Sequence, residues 1–247
     1  MRSHALTVDY LLDRNETTKQ VLGVSLVRTE NENFIEDVRI DASSRTLTGL
    51  KLSYGRSNPL GPGSFDGSVY IERGLRAFGG QNGDSLPDGA PEPQYLLAGF
   101  DVDYVQGLGT TNQLTWSTTL SAQYSEDRLY GTQAFSVGGV STVRGSRTSL
   151  ASGSSGVVWR NELDYRVTED LSEFIRAASF YGAIDYGRIF GQESLDVRSG
   201  HALGGVFGVK LRNTTYSFDI SYQEVLSVSD HIDAPGGTYL ASFDIVF

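Results

Sequence analysis

One arginine lies in a glycine-rich segment whose composition favours a specific ionic contact. The segment FSVGGVSTVRGSR covers residues 135–147, contains three glycines and carries Arg144 between Val143 and Gly145. Glycine at this density weakens a strand and disfavours a helix, so the segment is predicted to be a loop. It lacks the Asp, Asn and Pro residues of an ordinary surface turn. A guanidinium group in such a loop can approach a carboxylate with two parallel hydrogen bonds.

The residue types used for metal binding and nucleophilic catalysis are scarce in this chain. It has no Cys, and His4, His201 and His231 do not have the spacing of a zinc site. No GxxxxGK[ST] or GxSxG motif occurs. Asp101 and Asp103 resemble a glycosidase pair, but residues two apart on a strand share a face in any acidic sheet. The sequence therefore predicts no enzyme, no metal and no cofactor.

Charge and hydropathy exclude two further classes of protein. The 247 residues include 30 acidic and 20 basic side chains, which gives a net charge of −10. Because no Lys/Arg cluster occurs, nucleic acid is not an expected partner. The mean hydropathy is −0.23, and no apolar run approaches the ~20 residues of a membrane helix. The 29 Gly, 13 Tyr and 12 Phe residues against one Met favour β structure.

Strict alternation of apolar and polar residues is the dominant pattern of the chain. In TYSFDISYQ, for example, Tyr216, Phe218 and Ile220 alternate with Ser217 and Asp219. Most such segments reach about ten residues, which is the length of a tilted membrane-spanning strand, whereas globular strands average ~5–6. Eleven strands are predicted, at residues 4–13, 19–29, 46–56, 64–74, 95–106, 112–125, 157–167, 178–190, 201–212, 215–225 and 238–247.

The connections between these strands alternate between long and short. The short ones include DRNETT, NPLGPG, GLGTT and the pair Asn213-Thr214, and the connection at 168–177 is intermediate. Outer-membrane barrels alternate in this way, with short periplasmic turns and longer extracellular loops. The sequence therefore predicts an all-β, transmembrane antiparallel β-barrel. The long connections are residues 30–45, 75–94, 126–156, 191–200 and 226–237.

In a barrel, the polar face of each strand lines the lumen. The charged residues on these faces are mostly acidic, and because buried isolated charges are costly they imply a hydrated, acidic channel. The final strand alternates Phe243, Ile245 and Phe247, which resembles the C-terminal signal read by the outer-membrane insertion machinery. The predicted lumenal charges are Asp9, Lys51, Asp66, Glu72, Asp101, Asp103, Arg160, Glu162, Asp164, Arg166, Asp185, Lys210, Asp219 and Asp244.

An alternative fold stays open at this point, and so does the question of whether the barrel is complete. A soluble β-sandwich also has alternating strands, and Trp116, Trp159 and the tyrosines could then bind carbohydrate. Eleven is an odd number, whereas single-chain bacterial barrels have an even number of strands. The chain also opens without the pattern of a secretory signal peptide. We therefore expect residues 1–247 to be the C-terminal part of a barrel domain in a larger protein.

Three motifs in order point to a family. They are GGVSTVRGS in the longest loop, WRNEL in the next strand and AIDYG in the strand after that. This order resembles the C-terminal barrel of two-partner-secretion transporters, the TpsB family, which are relatives of the BamA assembly factor. The RNEL motif, with Arg160 and Asn161, favours the secretion branch. Two positions depart from the family pattern, because Ser146 replaces an aromatic residue and Ala183 replaces Phe or Gly.

The resemblance implies how the motif residues act. The family has a barrel of about sixteen strands preceded by periplasmic POTRA domains, and this chain would supply the last eleven strands. Its long loop folds into the lumen and is held there by an arginine–aspartate pair. Carried over, Arg144 would pair with Asp185, and Glu162 is a second candidate acceptor. The motif positions carried over are Gly138, Gly139, Val143, Arg144 and Gly145 in the loop, and Arg160, Asn161 and Gly187 in the strands.

The function implied is secretion of a large unfolded exoprotein, such as a haemolysin, an adhesin or a contact-dependent toxin, across the bacterial outer membrane. The partners implied are that exoprotein, outer-membrane lipids and the insertion machinery. A BamA- or TamA-like insertase is the alternative within the membrane. The soluble carbohydrate-binding β-sandwich is the alternative of another class.

Overall fold

The protein is almost entirely β-strand in a computed structural model that describes residues 2–32, 34–36, 38–39, 44–167, 175–190 and 199–245. Fifteen strands occur in these ranges, together with a short 3-10 helix at Gly83–Ser85. No helix in the described ranges is long and apolar enough to cross a membrane. The strands are β1 Arg2–Arg14, β2 Lys19–Asn31, β3 Phe34–Ile35, β4 Val38–Arg39, β5 Arg45–Leu60, β6 Gly63–Leu75, β7 Leu96–Leu108, β8 Leu114–Tyr124, β9 Phe135–Val137, β10 Ala151–Gly153, β11 Ser155–Val167, β12 Ala177–Phe190, β13 Gly200–Arg212, β14 Tyr216–Val228 and β15 Thr238–Ile245.

Eleven of these strands form one antiparallel sheet. Each strand pairs with its neighbours in chain order, from β1-β2-β5 through β6-β7-β8-β11 to β12-β13-β14-β15. Most of them have thirteen or more residues, which is the length of a membrane-spanning strand rather than of a globular one. The two remaining pairs, β3 with β4 and β9 with β10, are small hairpins inside long connections.

The two faces of the sheet differ as the alternation predicts. Residues paired in register lie on the same face, so Thr119, Arg160 and Asp185 form one row on the polar face. The opposite face exposes large apolar side chains, including Trp159, Leu163, Ile184 and Phe207. The polar face is therefore the lumenal face, and the apolar face is suited to contact lipid.

Strand limits depart from the predicted ones mainly at the turns. β5 was expected to end at residue 56 but continues to Leu60, because Asn58, Pro59 and Leu60 pair with the start of β6. The turn NPLGPG is thereby reduced to residues 61–62. The β3–β4 and β9–β10 pairs were not predicted, because segments of two or three residues are too short for alternation to be visible.

The connection between β8 and β11, residues 125–154, is called the lumenal loop. It does not extend away from the sheet but lies on the polar face of β11, β12, β13 and β14, where its residues contact the strands. This part of the polar face is called the loop-bearing wall. The polar face of β1, β2, β5, β6 and β7 is called the open wall; the loop reaches it near the start of β7, where Leu129 packs against Tyr95 and Leu97.

Candidate functional site

The lumenal loop is anchored by an apolar cluster. Val137 and Val143 of the loop are fully buried against Val158, Ile189 and Ala202 of the loop-bearing wall. Phe135, Leu150, Ala151 and Val228 pack around this cluster. Because apolar burial stabilises by roughly 25 cal/mol per Å², the two valines hold the loop backbone on the wall on both sides of Gly138 and Gly139. The segment that carries Arg144 is thus placed by packing before any charge is considered.

Arg144 makes four hydrogen bonds to two carboxylates. Its Nε donates to Asp185 Oδ2 at 2.7 Å, and its Nη2 donates to Asp185 Oδ1 at 2.9 Å. The Arg144 backbone N–H also donates to Asp185 Oδ2, at 3.1 Å. Its Nη1 donates to Glu162 Oε2 at 2.7 Å. The guanidinium therefore meets Asp185 in the bidentate geometry that gives the strongest ionic hydrogen bonds.

The ion pair between Arg144 and Asp185 is buried, which makes the loss of either partner costly. The Asp185 side chain is 0% exposed and that of Arg144 is 10% exposed. Burial acts to lower the pKa of Arg144, but hydrogen bonds and charges from Asp185 and Glu162 outweigh it and raise the pKa above its ordinary value. Such a pair adds little net stability, yet removing one partner leaves the other charge buried and costs about 3–5 kcal/mol. The pair therefore specifies where the loop lies.

Two further cations complete the cluster. Arg160 has its Nε 3.7 Å from Asp185 Oδ1, and its Nη1 donates to the Ser141 carbonyl oxygen of the loop at 3.0 Å. Lys210 has its Nζ 3.1 Å from Glu162 Oε1 and 3.4 Å from Asp164 Oδ2. Three cations thus face three carboxylates across β11, β12 and β13, so the charges of this group balance.

Glycines allow the loop backbone to approach the wall. Gly145 has φ +109°, and an added Cβ would lie 2.4 Å from the Glu224 carbonyl carbon. A Cβ on Gly204 would lie 2.0 Å from the Arg144 carbonyl oxygen. At Gly187, a Cβ would lie 2.6 Å from Val137 Cγ1. A side chain at any of these positions would displace the loop from the wall, since an aliphatic carbon does not approach another non-bonded heavy atom this closely.

The other loop-motif glycines form the bend before the arginine. Gly138 and Gly139 have φ +103° and +96°, a backbone region that other residues rarely adopt. The Thr142 hydroxyl donates to the Gly138 carbonyl oxygen at 2.8 Å, which closes the bend. The two glycines turn the chain so that Val137 and Val143 both face the wall.

The two departures from the motif fit the loop as it stands. Ser146 is 5% exposed, and its hydroxyl donates to the Thr148 carbonyl oxygen at 2.8 Å. It closes a small turn where the family pattern has an aromatic side chain. Ala183 is also buried, and it pairs in register with Glu162.

Three of the predicted site residues lie away from the arginine cluster, and a fourth is not described. Asn161 pairs with Thr118 and Ile184 on the apolar face, so it does not join the arginine cluster. Phe243 and Ile245 are 59% and 49% exposed on the apolar face of β15. Phe247 lies outside the described residues.

Sequence reasoning missed two residues at the site. The Arg144 carbonyl group packs against the backbone of Gly204. The one sequence signal for this contact was a glycine in the strand that follows AIDYG. Lys210 was predicted to be lumenal but was not connected with Glu162, because the register of β11, β12 and β13 was not known.

A membrane-length antiparallel sheet with an apolar outer face, a polar inner face and a loop bound inside defines a transmembrane β-barrel protein. Solved structures agree with this class. CdiB from Escherichia coli superposes on 98% of this chain and 45% of its own with a TM-score of 0.86 at 24% identity. BamA from Haemophilus ducreyi superposes on 98% and 54% with a TM-score of 0.62 at 10% identity. The predicted barrel is confirmed, and the β-sandwich alternative is not.

Sequence comparison identifies the family. Residues 1–211 match the family described as haemolysin secretion/activation protein ShlB/FhaC/HecB, and the chain belongs to this family. The outer membrane transporter CdiB of Dickeya dadantii (strain 3937) is 26% identical over 89% of this chain and 40% of its own length. CdiB-2 of Burkholderia pseudomallei (strain 1026b) is 29% identical over 83% and 35%. The chain thus spans well under half the length of these relatives, and the predicted two-partner-secretion resemblance is confirmed.

Proposed function

We propose that residues 1–247 form the C-terminal part of the barrel domain of a transporter in the bacterial outer membrane. The transporter secretes a large unfolded exoprotein, of the haemolysin, adhesin or contact-dependent toxin class, from the periplasm to the cell surface. The family membership supports this proposal, as do the relatives named outer membrane transporter CdiB. The similarity to BamA is one of fold alone, so an insertase function has less support.

The observation that carries the proposal is the loop bound inside the sheet by Arg144. A transporter of this kind needs a polar path and an element that occupies the path reversibly. The open wall supplies an exposed polar surface, and the lumenal loop covers the neighbouring wall through a charged anchor and an apolar cluster. Arg144, Asp185 and Glu162 then set the position of the loop and perform no catalysis.

The remaining surfaces have matching roles. Outer-membrane lipids contact the apolar face that includes Trp159, Leu163 and Phe207. The insertion machinery reads the final strand with Phe243, Ile245 and Phe247 during assembly. Folding of the exoprotein outside the cell supplies the driving force, and we assign no enzymatic activity to the barrel.

The substitution Arg144→Ala in the complete gene product tests the proposal. We expect secretion of the exoprotein to fall at least tenfold while the barrel remains inserted, because the docked loop loses about 3–5 kcal/mol when Asp185 keeps its charge without its partner. The matched control is Arg147→Ala, since Arg147 is exposed in the same loop. Secreted exoprotein is measured against the amount of barrel in the outer membrane. Normal export by the Arg144→Ala protein would contradict the proposed role of the loop.

A further inference from the structure

We infer that Lys210 is a positioning residue for the lumenal loop, which acts by holding the Glu162 carboxylate in the orientation that Arg144 requires. This inference rests on the proposed function, in that loop position matters for secretion. Lys210 is on β13, Glu162 is on β11, and Arg144 enters from the loop. Lys210 itself is thus not part of the contact between loop and wall that the sequence motifs describe.

The two cations use different oxygens of Glu162. Arg144 Nη1 donates to Oε2 at 2.7 Å, and Lys210 Nζ donates to Oε1 at 3.1 Å. The Glu162 side chain is only 21% exposed, so most of its surface contacts protein groups rather than solvent. With Oε1 held by Lys210, Oε2 faces the loop. Locking a functional side chain through a second hydrogen bond of this kind is how sites keep their geometry.

Lys210 is itself held in place from two sides. Its Nζ lies 4.0 Å from the centre of the Tyr181 ring and 3.4 Å from Asp164 Oδ2. The Tyr181 hydroxyl donates to Asp219 Oδ1 at 2.9 Å. An added Cβ on Gly208 would meet the Tyr181 ring at 2.4 Å, so this glycine makes room for the ring. The ammonium group is therefore directed at Glu162 by an aromatic face, which attracts cations.

The open wall offers a matched control with the same local design. Lys51 Nζ lies 3.8 Å from the centre of the Tyr70 ring, and an added Cβ on Gly99 would meet that ring at 2.5 Å. Lys51 pairs in register with Glu72. This lysine thus shares the aromatic neighbour and a glycine beside the ring, but β6, β7 and β8 separate it from the strand of Glu162. The loop residue packed near Tyr70 is Leu129, which is fifteen positions before Arg144. A general effect of removing a lumenal lysine would appear at both positions.

The experiment measures loop docking directly. Ser146 is 5% exposed in the docked loop and this chain has no Cys, so Ser146→Cys in the complete gene product provides a single thiol, once any cysteine outside this chain is replaced. A membrane-impermeant maleimide is added to whole cells, and the labelling rate reports undocking. We expect Lys210→Met to raise this rate on the order of tenfold, as loss of an ionic hydrogen bond does. Lys51→Met should leave the rate unchanged, and Lys210→Arg should retain most of the protection.

A double-mutant cycle separates positioning from a general structural role. If Lys210 acts through Glu162, Lys210→Met adds less than about twofold once Glu162→Gln is present. The same tenfold increase in the Glu162→Gln background would overturn the inference, and so would unchanged labelling of the single Lys210→Met variant. If the Lys210→Met barrel does not accumulate, Lys210→Gln takes its place in the cycle with the same expected results.

Failure of the proposed function gives a different result. Labelling reports the loop whether or not the barrel secretes. If labelling follows the expected pattern while secretion is unchanged, the inference about Lys210 stands and the proposed role of loop position in secretion is wrong. If Arg144→Ala blocks secretion but Lys210→Met changes no labelling, the proposed function stands and the role of Lys210 is wrong.

Discussion

β12 and β1 have similar alternating sequences but very different surroundings. Every residue of β1 is exposed, whereas the lumenal residues Tyr181, Ala183, Asp185 and Ile189 of β12 are buried. The lumenal loop covers part of β12, where Ile189 packs against it, whereas β1 lies at the edge of the described sheet and the loop does not cover it. Burial on the lumenal face is concentrated on the loop-bearing wall, although Leu47 of β5 and Leu97 of β7 are buried as well.

Charges on the two walls follow the same contrast. On the open wall Asp66 and Asp103 are directly opposite each other in register, and both are exposed. Like charges in such pairs repel, but water reduces the cost. On the loop-bearing wall each of Asp185, Glu162 and Asp164 has a cation within 4 Å. Charge matching thus accompanies desolvation, as the cost of burying a charge requires.

The largest difference between the walls is expected from glycine substitution. Gly204→Ala places a Cβ 2.0 Å from the Arg144 carbonyl oxygen, so the loop must leave its position, at a cost of about 1–3 kcal/mol. Gly55→Ala on the open wall has its nearest neighbour at 3.9 Å and should be neutral. Maleimide labelling of Ser146→Cys and the amount of secreted exoprotein measure the effect. Equal labelling of the two variants would show that close approach at Gly204 does not hold the loop.

A smaller difference between the two walls is expected when a valine on each is replaced by alanine. Val143→Ala removes two methyl groups from a fully buried cluster and should lower the free energy of unfolding by roughly 1–2 kcal/mol. Val105, on the lumenal side of β7, is 45% exposed, and Val105→Ala should change it by less than about 0.5 kcal/mol. Urea titration of both barrels in detergent micelles provides the comparison. If Val105→Ala is as destabilising as Val143→Ala, the apolar cluster is not a distinctive anchor.

The smallest expected effect is a stabilisation, from removing a charge on the open wall. Asp66→Asn removes the repulsion between Asp66 and Asp103 and should raise the free energy of unfolding by about 0.2–1 kcal/mol. The Ser57 hydroxyl donates to Asp66 and can still donate to the amide oxygen of Asn. The gain should shrink in 1 M salt because exposed charges are screened. Destabilisation by Asp66→Asn would indicate that the open wall also depends on its charges.

Much of the architecture follows from local pattern. The eleven long strands and the faces of Asp185, Glu162 and Lys210 were predictable, because a period of two fixes which side chains share a face. The position of the motif loop beside AIDYG came from the resemblance to a family. The bend at Gly138 and Gly139 was indicated by composition alone.

The contacts of the site needed the tertiary structure. A period of two does not fix the register between strands. The sequence therefore could not show that the Arg144 carbonyl group packs against Gly204 or that Lys210 contacts Glu162. It also could not show that Asn161, next to Arg160 in the motif, faces away from the cluster. Alternation along a strand is a local property of the chain, whereas loop docking depends on contacts between distant residues, from 18 positions apart for Arg144 and Glu162 to 79 for Gly145 and Glu224. Local alternation thus sets the strands and their faces, whereas the register of the folded sheet and the packing of the loop set which residues meet across them.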